Sequence, residues 1–292
     1  MKKQKEQTTE EDLPEDLDQY LRQKESRTPG ITAGAEKTIV WAGRPGQKTA
    51  LSIIYLHGFT ATRQEIAPVF DRVARSMGAN LFYTRLAGHG VPGDELGKVT
   101  VKDWMDDAWE AYRIGSRIGD RVIVAAMSTG VPLALWLAAQ KTPEIVSLTL
   151  ASANMKLADP LTELLLWPWP VPSLILRLAV GRYRTVPSQN ELDARFWTKT
   201  YPSTCLVTLM ETLRLARRLA IETITIPSLW IYAARDDLVD LSEIKKCYAR
   251  IGSTTKKLVE IADATGHALA GDILSPGTTD LVVQEVLAFL AH

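Results

Sequence analysis

The stretch VIVAAMSTGVPLALWLA, residues 122–138, decides how this chain is read. Val122-Ile123-Val124-Ala125-Ala126 is an unbroken apolar run and reads as a buried strand. Val131 to Ala139 is apolar all round, which places a helix inside a layered domain rather than on its surface. Pro132 falls in the first helical turn, where its missing N–H costs nothing. Between strand and helix there is room only for a very tight turn at Ser128.

Ala126-Met127-Ser128-Thr129-Gly130 is small-x-Ser-x-small, a near match to the G-x-S-x-G nucleophile elbow. The need is steric: so sharp a turn brings strand and helix together, and the residues two before and two after the serine must be small. Gly130 meets this, while Ala126 adds one methyl and predicts a slightly more open or strained elbow. The turn lifts the hydroxyl above the sheet edge and sets it at a helix N-terminus, which favours developing negative charge. Serine is also a good helix cap, so the pentapeptide alone leaves both readings open.

The chain has 292 residues, enough for one large domain or one domain with an insertion. Lys+Arg and Asp+Glu both number 34, so nothing favours a polyanionic partner. No basic stripe with interleaved aromatics argues for nucleic acid. Cys205 and Cys247 make neither a disulfide scaffold nor a metal site, so reduced structural thiols are expected and no metal is implied. Lys2, Lys3 and Lys5 are followed by no apolar core of a signal peptide. The apolar run 161–180 contains Glu163, Arg177, Pro168, Pro170 and Pro172 and makes a poor membrane span. A cytoplasmic protein is the resulting expectation.

Residues 1–36 read as a charged tail and a short helix whose apolar face is Leu13, Leu17, Tyr20 and Leu21. Strands are expected at 37–42, 51–56, 79–84, 121–126, 145–150, 228–232 and 257–261. Helices are expected at 62–77 (with Pro68 blurring the start), 101–118, 131–139, 204–220, 241–250 and 278–290. The alternation implies a mostly parallel, doubly wound sheet covered on both faces. It breaks over 154–222, where no strand is legible. That segment reads as a helical lid inserted between two strands of one core, formed by 37–153 and 223–292.

A serine hydroxyl needs a base, and the base needs orienting. His57, His89 and His267 each follow a strand, where sites form in such sheets, so position does not choose among them. His292 is terminal and is set aside. Asp236, Asp237 and Asp240 follow the strand at 228–232. The order Ser128…Asp236…His267 matches the Ser…Asp…His order of the α/β-hydrolase fold.

From about residue 37 onward the chain resembles the α/β-hydrolase superfamily, and within it the lidded bacterial carboxylesterases and monoacylglycerol-lipase-like enzymes. HGF at 57–59, LAGHG at 86–90, AMSTG at 126–130, RDDLV at 235–239 and GHALAGD at 266–272 carry the resemblance in order. It implies Ser128 as nucleophile, His267 as base and Asp236, favoured over Asp237, as orienting acid. Asp240 is read as a helix cap. The resemblance also implies an oxyanion hole from the backbone N–H groups of Phe59 and Thr129, with His57 and His89 as loop-stabilising residues. Only one strand precedes the strand at 51–56, which suggests a trimmed sheet edge.

The implied activity is hydrolysis of carboxylic esters with an apolar acyl or alkyl group through an acyl-enzyme, without metal or organic cofactor. Leu166, Trp167, Trp169 and Ile175 are expected to line the lid's inner face, the alternative being ordinary packing. The apolar run 164–180 raises contact with a lipid surface. Rival readings are a lysophospholipase or monoacylglycerol lipase, an acyltransferase on the same triad, and a non-catalytic ligand-binding protein of the same fold.

Overall fold

The computed structural model describes residues 13–166, 178 and 180–291. Among them the strands are β1 (Thr38–Val40), β2 (Thr49–Leu56), β3 (Asn80–Tyr83), β4 (Gly119–Met127), β5 (Ile145–Ala151), β6 (Tyr183–Thr185), β7 (Thr200–Pro202), β8 (Ser228–Ala233) and β9 (Lys256–Ile261). The helices are α1 (Leu17–Glu25), α2 (Val69–Met77), α3 (Val101–Ile118), α4 (Gly130–Ala139), α5 (Pro160–Leu166), α6 (Glu191–Phe196), α7 (Cys205–Arg217), α8 (Leu241–Arg250) and α9 (Thr279–Leu290). One sheet has the order β1-β3-β2-β4-β5-β8-β9. Only β1, at the edge, runs antiparallel to its neighbour.

The inner strands carry long apolar runs because both faces of the sheet are covered. Ile54 and Leu56 of β2, with Val122, Val124 and Ala126 of β4, join the core that includes residues of α3, α4 and α7. Ile53 and Tyr55, with Ile123, Ala125 and Met127, join the core built with α2 and α9. Local chemistry sets the helix ends. Thr100 and Asp103 form a reciprocal capping box on α3, and Gly78 closes α2 in the left-handed region at φ 59°.

Two expectations are corrected. The helix expected over 62–77 is a 3-10 turn at Arg63–Glu65 followed by α2, which begins directly after Pro68 because a proline ring bars a helix passing through it. The segment 154–222 contains strands after all: β6 and β7 pair as an antiparallel hairpin. Each is three residues long and β6 is largely exposed, so neither leaves an alternating pattern to read.

Because β5 and β8 are sheet neighbours, everything from Ser152 to Pro227 is one excursion between them. Its helix α7 buries Leu209, Leu213 and Ala216 in the core that also holds Leu133 and Leu137 of α4. Thr198 N–H donates to Thr60 O (2.7 Å), tying the excursion to the loop after β2, and Arg217 Nε to Met155 O (2.6 Å) closes it on its own start.

The N-terminal segment is bound to the core by buried charge. Arg85 meets Glu25 of α1 through two bonds, of 2.9 and 2.8 Å. Lys37 reaches Asp107 (2.6 Å) and Glu110 (2.5 Å) of α3, and Lys24 also pairs with Glu110. Burial pushes the Glu110 carboxyl up, but Lys37 and Lys24 outweigh it and hold it at about 2. A folded-state value below the ordinary 4.5 means that the pair stabilises the fold above 4.5 and loses that contribution as pH falls toward 2. The melting temperature should therefore drop between about pH 5 and about pH 3, and drop less steeply in Glu110→Gln. Parallel slopes for the two proteins would contradict this assignment.

Candidate active site

Ser128 stands at the crease between β4 and α4 with φ 53°, a left-handed conformation that non-glycine residues seldom adopt. The crease is held by Ser128 N–H to Ala151 O (2.9 Å) and by Val131 N–H and Asn154 N–H to Ser128 O (3.1 and 3.2 Å). The demand for a small residue after the serine is literal. A Cβ on Gly130 would lie 2.1 Å from the Leu56 carbonyl oxygen. Ser128 does not cap α4; Thr129 is the N-cap residue, and its side chain makes no capping bond.

His267 Nε2 lies 2.7 Å from Ser128 Oγ, and its Nδ1 lies 2.7 Å from Asp236 Oδ2. A carboxylate only accepts, so Nδ1 carries the proton and Nε2 is left to accept from the serine hydroxyl. Asp236 has a fully buried side chain. Its Oδ1 accepts from the N–H groups of Leu238 (3.0 Å) and Val239 (3.3 Å). Asp237 is exposed on the cavity rim, and Asp240 caps α8 through Ser242 N–H at 2.9 Å. The Ser152 hydroxyl donates to the His267 carbonyl (2.8 Å), a brace the sequence did not signal.

The amides of Phe59 and Thr129, the expected oxyanion donors, donate no hydrogen bond among the described residues. His57 explains the aim of the first. Leu86 N–H donates to its Nε2 (3.0 Å), so the ring proton is on Nδ1 and goes to Gly58 O (2.9 Å). In a trans peptide the N–H points opposite the C=O. Pinning Gly58 O toward His57 therefore turns the Phe59 N–H the other way. Burial, with His89 and Arg85 nearby, holds His57 neutral far below its usual value, and burial pushes His89 down to about 4.

A cavity of about 670 Å³ opens over Ser128 and His267. Met127, Phe59, Leu157, Leu206, Leu209 and Val239 give it apolar walls, and Leu157, Leu206 and Leu209 come from the excursion between β5 and β8. Trp167, Trp169 and Ile175 lie outside the described residues, as does the side chain of Leu166. Glu65 also lines the cavity, unforeseen because an acid eight residues after His57 matches no known spacing. Among the described residues, no cluster of three or more His, Cys, Asp or Glu side chains could hold a metal ion.

The family model for serine aminopeptidase S33 (Hydrolase_4) matches residues 47–273, more than three quarters of the chain. The chain belongs to this family. It is thus a serine hydrolase of the α/β-hydrolase fold. Among curated proteins it is similar to a thermostable monoacylglycerol lipase from Bacillus sp. (strain H-257), 22% identical over 267 residues, covering 89% of this chain and 96% of the relative. Among solved structures it is similar to one reported for the metagenome-derived lipolytic enzymes LipS and LipT, with a TM-score of 0.73, 21% identity, and coverage of 90% and 100%. A Paleococcus ferrophilus monoacylglycerol lipase superposes with a TM-score of 0.64, 13% identity, and coverage of 87% and 98%.

The crease yields a stability prediction. Gly130→Ala forces a methyl into the Leu56 carbonyl and should cost about 1–3 kcal/mol in denaturant unfolding. An unchanged midpoint would mean that β2 and α4 are not in contact as described.

Proposed function

We propose that this chain hydrolyses carboxylic esters bearing an apolar acyl or alkyl group, with Ser128 as nucleophile, His267 as base and Asp236 as orienting acid. The single observation that carries the reading is the unbroken relay Asp236–His267–Ser128, with both contacts at 2.7 Å, beneath an apolar cavity. Ser128 Oγ attacks the ester carbonyl carbon while His267 Nε2 takes the hydroxyl proton. The carbonyl oxygen becomes an oxyanion and accepts from the Phe59 and Thr129 amides. Collapse releases the alcohol, which leaves with the proton from His267. Water then repeats the cycle on the acyl-enzyme and frees the acid. Each oxyanion donor of this kind contributes about 10²–10³ in rate, and the base needs its partner to keep the right tautomer.

The excursion between β5 and β8, read as a lid over 154–222, supplies part of the apolar wall, which is what an apolar substrate group would pack against. The relatives' names include monoacylglycerol lipase, so a glycerol monoester falls within the same chemistry. A profile of ester chain lengths separates it from short-chain esterase activity.

A fluorophosphonate probe should label the wild type and leave Ser128→Ala unlabelled; equal labelling of both would identify a different nucleophile. Asp236→Asn should lower kcat about 10³–10⁴-fold, against less than about threefold for Asp237→Asn. The reverse ranking would transfer the orienting role to Asp237.

A lipid-surface role has its own support. Leu161, Leu178, Leu192 and Leu238 are 75%, 79%, 49% and 57% exposed, and three of them belong to the excursion. We read these exposed leucines as the side chains that would meet an apolar phase. Activity on a long-chain ester should then rise sharply when the substrate passes its critical micelle concentration. A smooth saturation curve through that point would remove this role and leave the hydrolysis untouched.

A further inference from the structure

We propose that Glu65 is a positioning residue of this site: its carboxyl holds the Gly58 amide and thereby aims the adjoining Phe59 amide at the reacting carbonyl. The inference rests on the ester-hydrolase reading. Glu65 ends the 3-10 turn Arg63–Glu65, whose N-cap is Thr62. The turn carries the carboxyl back to the end of β2, where Oε1 accepts from Gly58 N–H (2.7 Å) and Tyr55 O–H (2.8 Å). A Cβ on Gly58 would lie 3.0 Å from both Glu65 Oε2 and Ser128 Cβ, so carboxyl and nucleophile flank the same glycine. The turn is braced by its surroundings. Asp272 N–H donates to Ala67 O (2.9 Å), and a Cβ on Gly271 would lie 2.6 Å from the Glu65 carbonyl.

Glycine has the widest backbone freedom of any residue. Gly58 is deprived of it from both sides. The N–H before its Cα is fixed by Glu65, and the carbonyl after it accepts from His57 Nδ1 and from Ala61 N–H (3.3 Å). Removing the carboxyl frees the first of these planes, so the Phe59 N–H is aimed by the second plane alone and held less closely. A donor that acts on charge developed only in the transition state, when misplaced, lowers kcat and leaves KM nearly alone.

Burial raises the Glu65 carboxyl to about 7, against the opposing pull of Gly58 N–H, Tyr55 O–H and His267. The other titratable groups around it are Arg63 on its own turn, Asp236 behind His267, Asp272 on the loop beyond, and the paired Asp193 and Lys199 across the cavity. A folded-state value above the ordinary 4.5 means that ionising Glu65 destabilises the fold progressively as pH rises from 4.5 to about 7. Glutamine keeps an oxygen for both hydrogen bonds and never ionises. It therefore separates the two roles.

The test measures kcat and KM on a soluble p-nitrophenyl ester, with melting by circular dichroism, for wild type, Ser128→Ala, Glu65→Gln and Glu65→Leu. Glu65→Leu should lose about 10–100-fold in kcat with KM within about threefold. Glu65→Gln should stay within about threefold of wild type in kcat and gain more in melting temperature at about pH 8 than at about pH 5. Should the leucine variant fail to fold, Glu65→Ser carries the same kinetic expectation. A folded leucine or serine variant with wild-type kcat overturns the inference, and so does a glutamine variant as slow as the leucine one. A wild type without esterase activity sinks the ester-hydrolase reading instead, and the positioning role falls with it.

Discussion

The structure depends on a collision that is narrowly avoided. The carbonyl end of β2 passes so near the first turn of α4 that residue 130 can carry no side chain. That closeness forces the chain to reverse within one residue, which puts Ser128 in a left-handed conformation costing about 1–3 kcal/mol. The strain persists because three backbone hydrogen bonds fix the crease and because β4 and α4 are almost wholly buried. The reward is a hydroxyl held clear of the sheet, with the Thr129 amide at its side and the N-terminus of a helix beneath it.

Around that point the protein has arranged polar groups of opposite temper. His57 and His89 are kept neutral by burial; His57 spends both ring nitrogens on loop backbone, and His89 its Nδ1 on Ala87 O. Asp236 is buried too, but two backbone N–H groups and the imidazole satisfy its oxygens. Buried polar groups thus behave differently because their partners differ. The N-terminal segment reaches this region indirectly: Glu25 grips Arg85, whose neighbour Leu86 fixes the His57 tautomer.

Legibility followed the range of the forces involved. The central sheet strands were readable because burial on both faces leaves apolar runs, and α3 covers the span expected for it, Val101–Ile118. The resemblance favoured Asp236 over Asp237, and the structure puts Asp236 against His267. The hairpin of β6 and β7 was invisible because three-residue exposed strands carry no periodicity. Glu65 and Ser152 were invisible for a different reason. Each works by touching a residue that only folding brings near, and no local pattern records such a meeting.

The sequence by itself determined the layered α/β architecture, the position of the crease and the order of Ser128, Asp236 and His267. These are consequences of periodic burial, of the steric demand for glycine, and of a motif order shared with a family. Only the tertiary structure decided that an imidazole 139 residues from the serine arrives within 2.7 Å of it, and that a glutamate pins the loop beside it. The physical reason is that side-chain pairing across a sheet depends on strand register and loop path. Those are set by the packing of the whole core, not by any stretch of chain taken alone.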